Sequence, residues 1–229
     1  MKKPFLQKIL YLFPLLAIHV SSIAQKKTTA LKPDRFGFDL SFGVAVPTSK
    51  AVNDVFYTGL DASLGFKIAV LNSKKLWIKP LGGTKLYSKK AGSDNAVREA
   101  FRTWKAGIEL QYRAADVKKF SFYPLLRADY NWCSNYFSKT YDYDITTNSQ
   151  TIAISDNYLK GTGYSFDAGI MITRKTLYLK IDYEYSKPTL NVHPDFIKAA
   201  RDLGIIVPAS TKLNCSSLNI GLGINFNFK

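Results

Sequence analysis

From residue 36 to residue 228, apolar and polar side chains alternate one by one in eight separate runs. The last is the most regular: Leu218, Ile220, Leu222, Ile224, Phe226 and Phe228 alternate with Asn219, Gly221, Gly223, Asn225 and Asn227. Successive side chains of an extended strand point to opposite faces, so this run has one apolar face and one small, polar face. The same rhythm begins at Phe36, Leu60, Trp104, Phe122, Tyr164 and Leu177, with a weaker run over residues 76 to 87. Short links (Asn72 to Lys75, Ala115 to Lys119, Thr173 to Lys175) alternate with long ones at 47 to 56, 88 to 101, 137 to 160 and 187 to 212. Eight strands, with short turns and both ends of the run on one side, predict an all-β, eight-stranded antiparallel up-and-down transmembrane β-barrel. Its short turns would face the periplasm and its long loops the exterior. Pro80 and Pro124 remove ladder donors, which predicts a bulge or an offset start at each.

A soluble barrel would show the same alternation with the faces reversed. Two features point instead to lipid. Gly37, Gly43, Gly59, Gly65, Gly83, Gly107, Gly163, Gly169, Gly221 and Gly223 all fall on the polar beat. Small residues suit a narrow lumen and give no packing return on a wetted face. The other face is dominated by Phe and Leu, and exposing it to water would leave an apolar patch far larger than a soluble protein carries.

The polar beat also carries charge. Its acids are Asp39, Asp61, Glu109, Asp129, Asp167, Asp182 and Glu184, and its bases are Lys67, Lys79, Lys85, Lys105, Arg113, Arg127 and Lys180. Eight strands leave an interior only wide enough for side chains to fill, and buried charges need partners. The equal count predicts a lumen ion-pair network that plugs the barrel; a hydrated pore with the same tally is the other reading.

The formal net charge of +15 then resides mainly outside the strands. Lys2, Lys3 and Lys8 precede the apolar run Ile9 to Val20, and Ser22-Ile23-Ala24 supplies small residues for cleavage after Ala24. Residues 1–24 thus read as a signal peptide, 25–35 as a short periplasmic lead and 36–229 as the barrel. Of the remaining surplus the long loops carry about +3 and most lies in the lead, the short turns and Lys229, a basic rim suited to anionic phospholipid. Export argues against nucleic acid as a partner.

The signal followed by Gln25, the eight alternating strands and the terminal "NFNF" resemble the small outer-membrane barrels of the OmpA/OmpX type. In particular they resemble the PorT-like barrel proteins of Bacteroidetes. The resemblance implies a Gram-negative cell envelope, location in the outer membrane, contact with outer-membrane lipids and lipopolysaccharide, and insertion by the outer-membrane assembly machinery. Lys229 departs from the usual final aromatic, which stands one residue earlier as Phe228. Barrels of this kind serve many tasks, so the resemblance carries no single activity.

The chemistry of an enzyme is not legible. After the signal, His193 is the single histidine, and no zinc spacing, P-loop or GxSxG occurs. Asp142, Asp144 and Asp156 lack a fixed ligand frame for Ca²⁺. No catalytic, cofactor-binding or metal-ligating residue is assigned, and no cofactor is expected. Residues 137 to 160 alternate enough to extend a hairpin above the membrane. Residues 193 to 204 read as a short helix, opened by Pro194 and closed by Gly204, with Ile197, Ala200 and Leu203 on one face to cap the mouth or meet a protein partner. Cys133 and Cys215 both fall on the polar beat but on strands three steps apart, roughly 14 Å around the wall. A disulfide needs Cα atoms within about 7 Å, so two free, buried thiols are expected. The resulting expectation is a plugged outer-membrane barrel acting as a structural or interaction protein through its loops. A narrow small-solute channel and a lipid-modifying enzyme are the alternatives.

Overall fold

The computed structural model describes residues 36–70, 75–90, 99–137, 159–202 and 204–228. Residues 1–35, on which the expected signal and lead fall, part of the first short turn, Lys229 and nearly all of the 137–160 loop, with its three aspartates, lie outside the described residues. Eight strands form the wall: β1 (Phe36–Pro47), β2 (Gly59–Ala69), β3 (Leu76–Ser88), β4 (Glu99–Tyr112), β6 (Phe120–Phe137), β7 (Leu159–Arg174), β8 (Leu177–Ser186) and β11 (Ser217–Phe228). Three short strands, β5 (Ala115–Val117), β9 (Thr189–Val192) and β10 (Ser210–Lys212), extend it at its rims.

Every wall strand pairs antiparallel with its neighbours, β6 joins β7, and β11 joins β1 from Phe36↔Phe228 to Pro47↔Ser217. The eight-stranded wall is closed, and only the short rim strands β5 and β10 end the sheet. Following the pairing from Phe36 through Ile68, Ile78, Leu110, Leu126, Ala168, Tyr183 and Leu218 returns to β1 at Val46, ten residues past the start. Such a stagger tilts the strands and sets the bore, which at eight strands is filled by side chains.

The apolar beat faces outward along all eight strands, with Phe42 61%, Leu60 66% and Leu222 67% exposed, and the polar beat is enclosed. Neither proline makes a bulge. The β2–β3 ladder lapses beside Pro80 and resumes in the same register, and Pro124 stands opposite Ile170 in an unbroken β6–β7 register. The one slip lies elsewhere. Gln111 pairs with Leu125, whereas Ala115 pairs with Phe122, so one extra residue enters between β4 and β5.

The lumen is less uniformly polar than the alternation implies. At the long-loop end Ala45, Val52, Phe56, Tyr87, Phe101, Cys133, Leu190 and Cys215 form one buried apolar cluster. The short helix α1 (Lys50–Asn53) contributes Val52 to it. Its N-cap, Ser49, accepts from the Val52 backbone N–H at 3.3 Å and donates to the Asn214 carbonyl at 2.5 Å. At the short-turn end Leu125, Met171 and Tyr178 form a second cluster. Both cysteines are free and buried.

The helix expected over 193 to 204 is α2 (Pro194–Asp202). It closes at Gly204, whose φ of 74° admits glycine readily, with Gly204 N–H donating to the Arg201 carbonyl and Ile205 N–H to that of Ala200. Ala200 is buried and Ile197 half-buried; Leu203 lies outside the described residues.

Candidate functional site

Between the two apolar clusters the lumen holds fixed charge. Because side chains alternate, every second residue of each strand is delivered to this space, and neighbouring strands place opposite charges side by side. Towards the short-turn end, Lys79 contacts Asp39 at 3.1 Å and Glu109 at 2.6 Å. Lys180 contacts Glu109 at 2.8 Å and Asp182 at 3.3 Å. Neutral donors complete this chain: Tyr178 Oη to Asp39 at 2.9 Å, Gln111 Nε2 to Glu109 at 2.5 Å and Asn219 Nδ2 to Asp182 at 2.8 Å.

Towards the long loops, Glu184 receives Lys85 at 2.5 Å and Lys105 at 2.8 Å, and Lys105 also lies 3.5 Å from Asp61. Lys85 further donates to Ser217 and Asn219. In the middle, Arg127 Nε lies 2.6 Å from Asp129 and 3.7 Å from Asp167. The side chains of Glu109, Asp39 and Lys105 have no exposed surface, so each charge depends on these partners rather than on water.

Two bases stand apart. Lys67 is buried, with its ammonium 5.1 Å from the centre of the Trp77 ring; among the described residues no carboxylate lies within 4 Å of it. Arg113 is not in the lumen. It sits beyond β4 at the one-residue slip, where its guanidinium holds Asp116 at 2.8 and 2.9 Å and Ser121 donates to the same carboxylate. The Arg113 backbone N–H still donates to the Lys75 carbonyl, continuing the β3–β4 register, but the residue stands past the last residue of β4 with its side chain exposed. The enclosed set is therefore seven acids against six bases.

Tyr178, Gln111, Ser217 and Asn219 were not anticipated as part of this network. Gln111 and Asn219 could have been found, because both share the polar beat with the charges. Tyr178 also shares that beat with Lys180 and Asp182, but its reach to Asp39 across the sheet is not legible from alternation. A Cβ on Gly223 would lie 2.1 Å from the Tyr178 ring, so the ring reaches Asp39 only over a bare backbone. Gly107 makes the same allowance for the Asp129 carboxylate.

A cavity of about 20 Å³ remains between β1, β2 and β11, lined in part by Asp61, Arg127, Lys180 and Asp182. It has room for about one water molecule. Nearby, Arg127 Nη2 and both carboxylate oxygens of Asp129 and of Asp167 have no protein hydrogen-bond partner with good geometry. Among the described residues no three His, Cys, Asp or Glu side chains are arranged to hold a metal ion. His193 stands at the start of α2, 3.6 Å from Asp195.

No family model and no curated protein matches the chain. Among solved structures, the chain is similar to Neisserial surface protein A, with 14% identity, a TM-score of 0.47, and 84% of this chain and 97% of that one covered. It is similar to Ail, the attachment invasion locus protein of Yersinia pestis, at 10% identity and a TM-score of 0.43, covering 86% and 100%. It is also similar to the outer-membrane protein OprG of Pseudomonas aeruginosa, at 15% identity and a TM-score of 0.44, covering 86% and 98%.

Proposed function

We propose that the chain is an outer-membrane barrel with a sealed lumen, acting as a structural or interaction protein through its long loops. The observation that carries this reading is a closed wall, apolar outside, around a bore filled by ion pairs and stopped at both ends by apolar side chains. In hydrocarbon only a structure that satisfies all its own backbone groups is stable, and a closed barrel does so. The alternation of signal, lead and barrel supports export and cleavage after Ala24. Outer-membrane lipids, lipopolysaccharide and the assembly machinery are the partners this location supplies, and the PorT-like barrels are the family whose pattern fits the sequence. A narrow channel is the second reading, favoured by the small cavity beside Arg127 and the incompletely bonded groups around it. A lipid-modifying enzyme finds no comparable support.

The two leading readings separate in a planar bilayer. Purified, refolded protein is expected to give no steady single-channel conductance above the lipid baseline. Stable openings that scale with protein added would remove the sealed-lumen reading in favour of the channel.

A further inference from the structure

Positive charge gathers at one place on the short-turn rim. The ladder between β6 and β7 ends at Ser121↔Thr173, and just past it stand two adjacent hairpin turns. Val117↔Phe120 closes over Lys118 and Lys119, and Arg174↔Leu177 closes over Lys175 and Thr176. The two turns are one strand step apart, about 5 Å between backbones. Lys118, Lys119, Arg174 and Lys175 are all exposed. Among the described residues none of the four has a carboxylate within 4 Å. Asp116, the nearest acid along the chain, alternates with Val117 and so takes the opposite face, where Arg113 holds it at 2.8 Å.

Arg174 differs from the three lysines in its place on the wall. It follows Ile170 and Ile172 on the outward beat of β7, and among the described residues no other cation stands on that beat towards the short turns. Its guanidinium lies 5.7 Å from the centre of the Phe120 ring on the neighbouring strand. A guanidinium laid on a ring gives the ring its flat face and keeps the N–H groups of its edge for another acceptor. The outward surface around it is apolar: Val117, Phe120 and Leu177 are exposed, and Phe122 pairs with Ile172 one step further into the wall. A forked donor, backed by three lysines and bordered by apolar wall, fits a molecule with one anionic phosphate and acyl chains.

We propose that the paired turns at Lys118–Lys119 and Arg174–Lys175 form a preferential site for an anionic phospholipid of the leaflet nearest the short turns. Arg174 holds the phosphate through its forked donors, and the lysines surround it as point charges. The acyl chains run over Phe122 and Ile172. The site rests on the membrane reading above, and it concentrates at one pair of turns what a uniform basic rim would spread around the barrel.

For the test, protein refolded into vesicles of equal phosphatidylcholine and phosphatidylglycerol is released in mild detergent. Native mass spectrometry then counts the lipid that each folded barrel keeps. The barrel is expected to keep one phosphatidylglycerol about fivefold more often than one phosphatidylcholine, the worth of one well-placed basic residue near an anionic lipid. R174Q with K118Q should bring the ratio close to unity while the gel mobility of the folded barrel is kept. R174K, which retains the charge without the fork, should give an intermediate ratio. K198Q with R201Q, exposed on α2 at the opposite end, should leave the ratio unchanged. Equal retention of the two lipids by the unaltered protein would overturn the proposal. So would a preference that survives R174Q with K118Q, an R174K ratio equal to the unaltered one, or an equal loss in the K198Q–R201Q control, each of which leaves only diffuse attraction. A protein that does not fold into the vesicles at all would instead sink the membrane reading itself.

Discussion

At the scale of single residues, the enclosed charges are unequal in what depends on them. Glu109 joins Lys79 and Lys180, so its removal takes the nearer carboxylate from each and leaves Lys79 to Asp39 and Lys180 to Asp182 alone. Asp167 shares Arg127 with the closer Asp129 and belongs to the side that is one charge in excess. Glu109→Ala is therefore expected to destabilise the folded barrel by about 3–5 kcal/mol. Asp167→Asn, which leaves six acids against six bases, should change stability by less than about 1 kcal/mol. Urea titration followed by the mobility difference between folded and unfolded barrel measures both. Equal losses in the two variants would show that charge tally and partner number do not govern the lumen.

At the scale of elements, the two tight turns of the short side carry strain of a simple kind. Val117↔Phe120 and Arg174↔Leu177 each close over two residues, and the first of each pair, Lys118 and Lys175, has φ of 56° and 58°. Hairpin turns of this length favour positive φ because it matches strand twist, and glycine or asparagine accepts it at least cost. Lys175→Gly is expected to raise stability by about 0.5–1 kcal/mol, and Lys175→Val to lower it. A loss on Lys175→Gly in the same urea assay would mean that the lysine side chain contributes more than its backbone costs.

These elements also show where the sequence was transparent. Strands with one uniformly apolar beat, such as β1 and β11, were legible because period two has no other physical source of that length. Strand β3 was only half legible: Trp77, Leu81 and Tyr87 face inward, so apolar residues occupy both beats and blur the rhythm. The same mixing hid the apolar clusters that stop the two mouths. They gather Phe56, Phe101 and Leu190 from connections and strand ends that alternation alone does not bring together. Arg113 was misplaced for a different reason. Alternation tells which face a residue takes but not where the enclosed wall ends, and Arg113 stands past the last residue of β4 with its side chain exposed. The free state of Cys133 and Cys215 agrees with the expectation, although both thiols lie in one apolar cluster at the long-loop end, which strand order did not reveal.

At the scale of the whole molecule, closure depends on the last strand. β11 pairs with β8 on one side and β1 on the other, so without it two strands are left with an unpaired backbone edge. Deleting residues 217–229 is expected to abolish the folded, heat-modifiable species entirely, instead of giving a less stable version of it. A folded seven-stranded product in the same gel assay would contradict this.

The return of the pairing circuit to β1 ten residues from its origin carries one more consequence. A belt whose two surfaces differ can be buckled at any even hole, but at an odd one the lining meets the outer leather. In the same way, only an even displacement lets the apolar surface of β1 meet the apolar surface of β11 when the ring closes. Deleting one residue inside a wall strand therefore cannot be absorbed by a uniform shift of its neighbours. It must be expelled into a connection or matched by a second change of the same parity. Tolerated changes in strand length should come in pairs, with lone residues gained or lost only in connections.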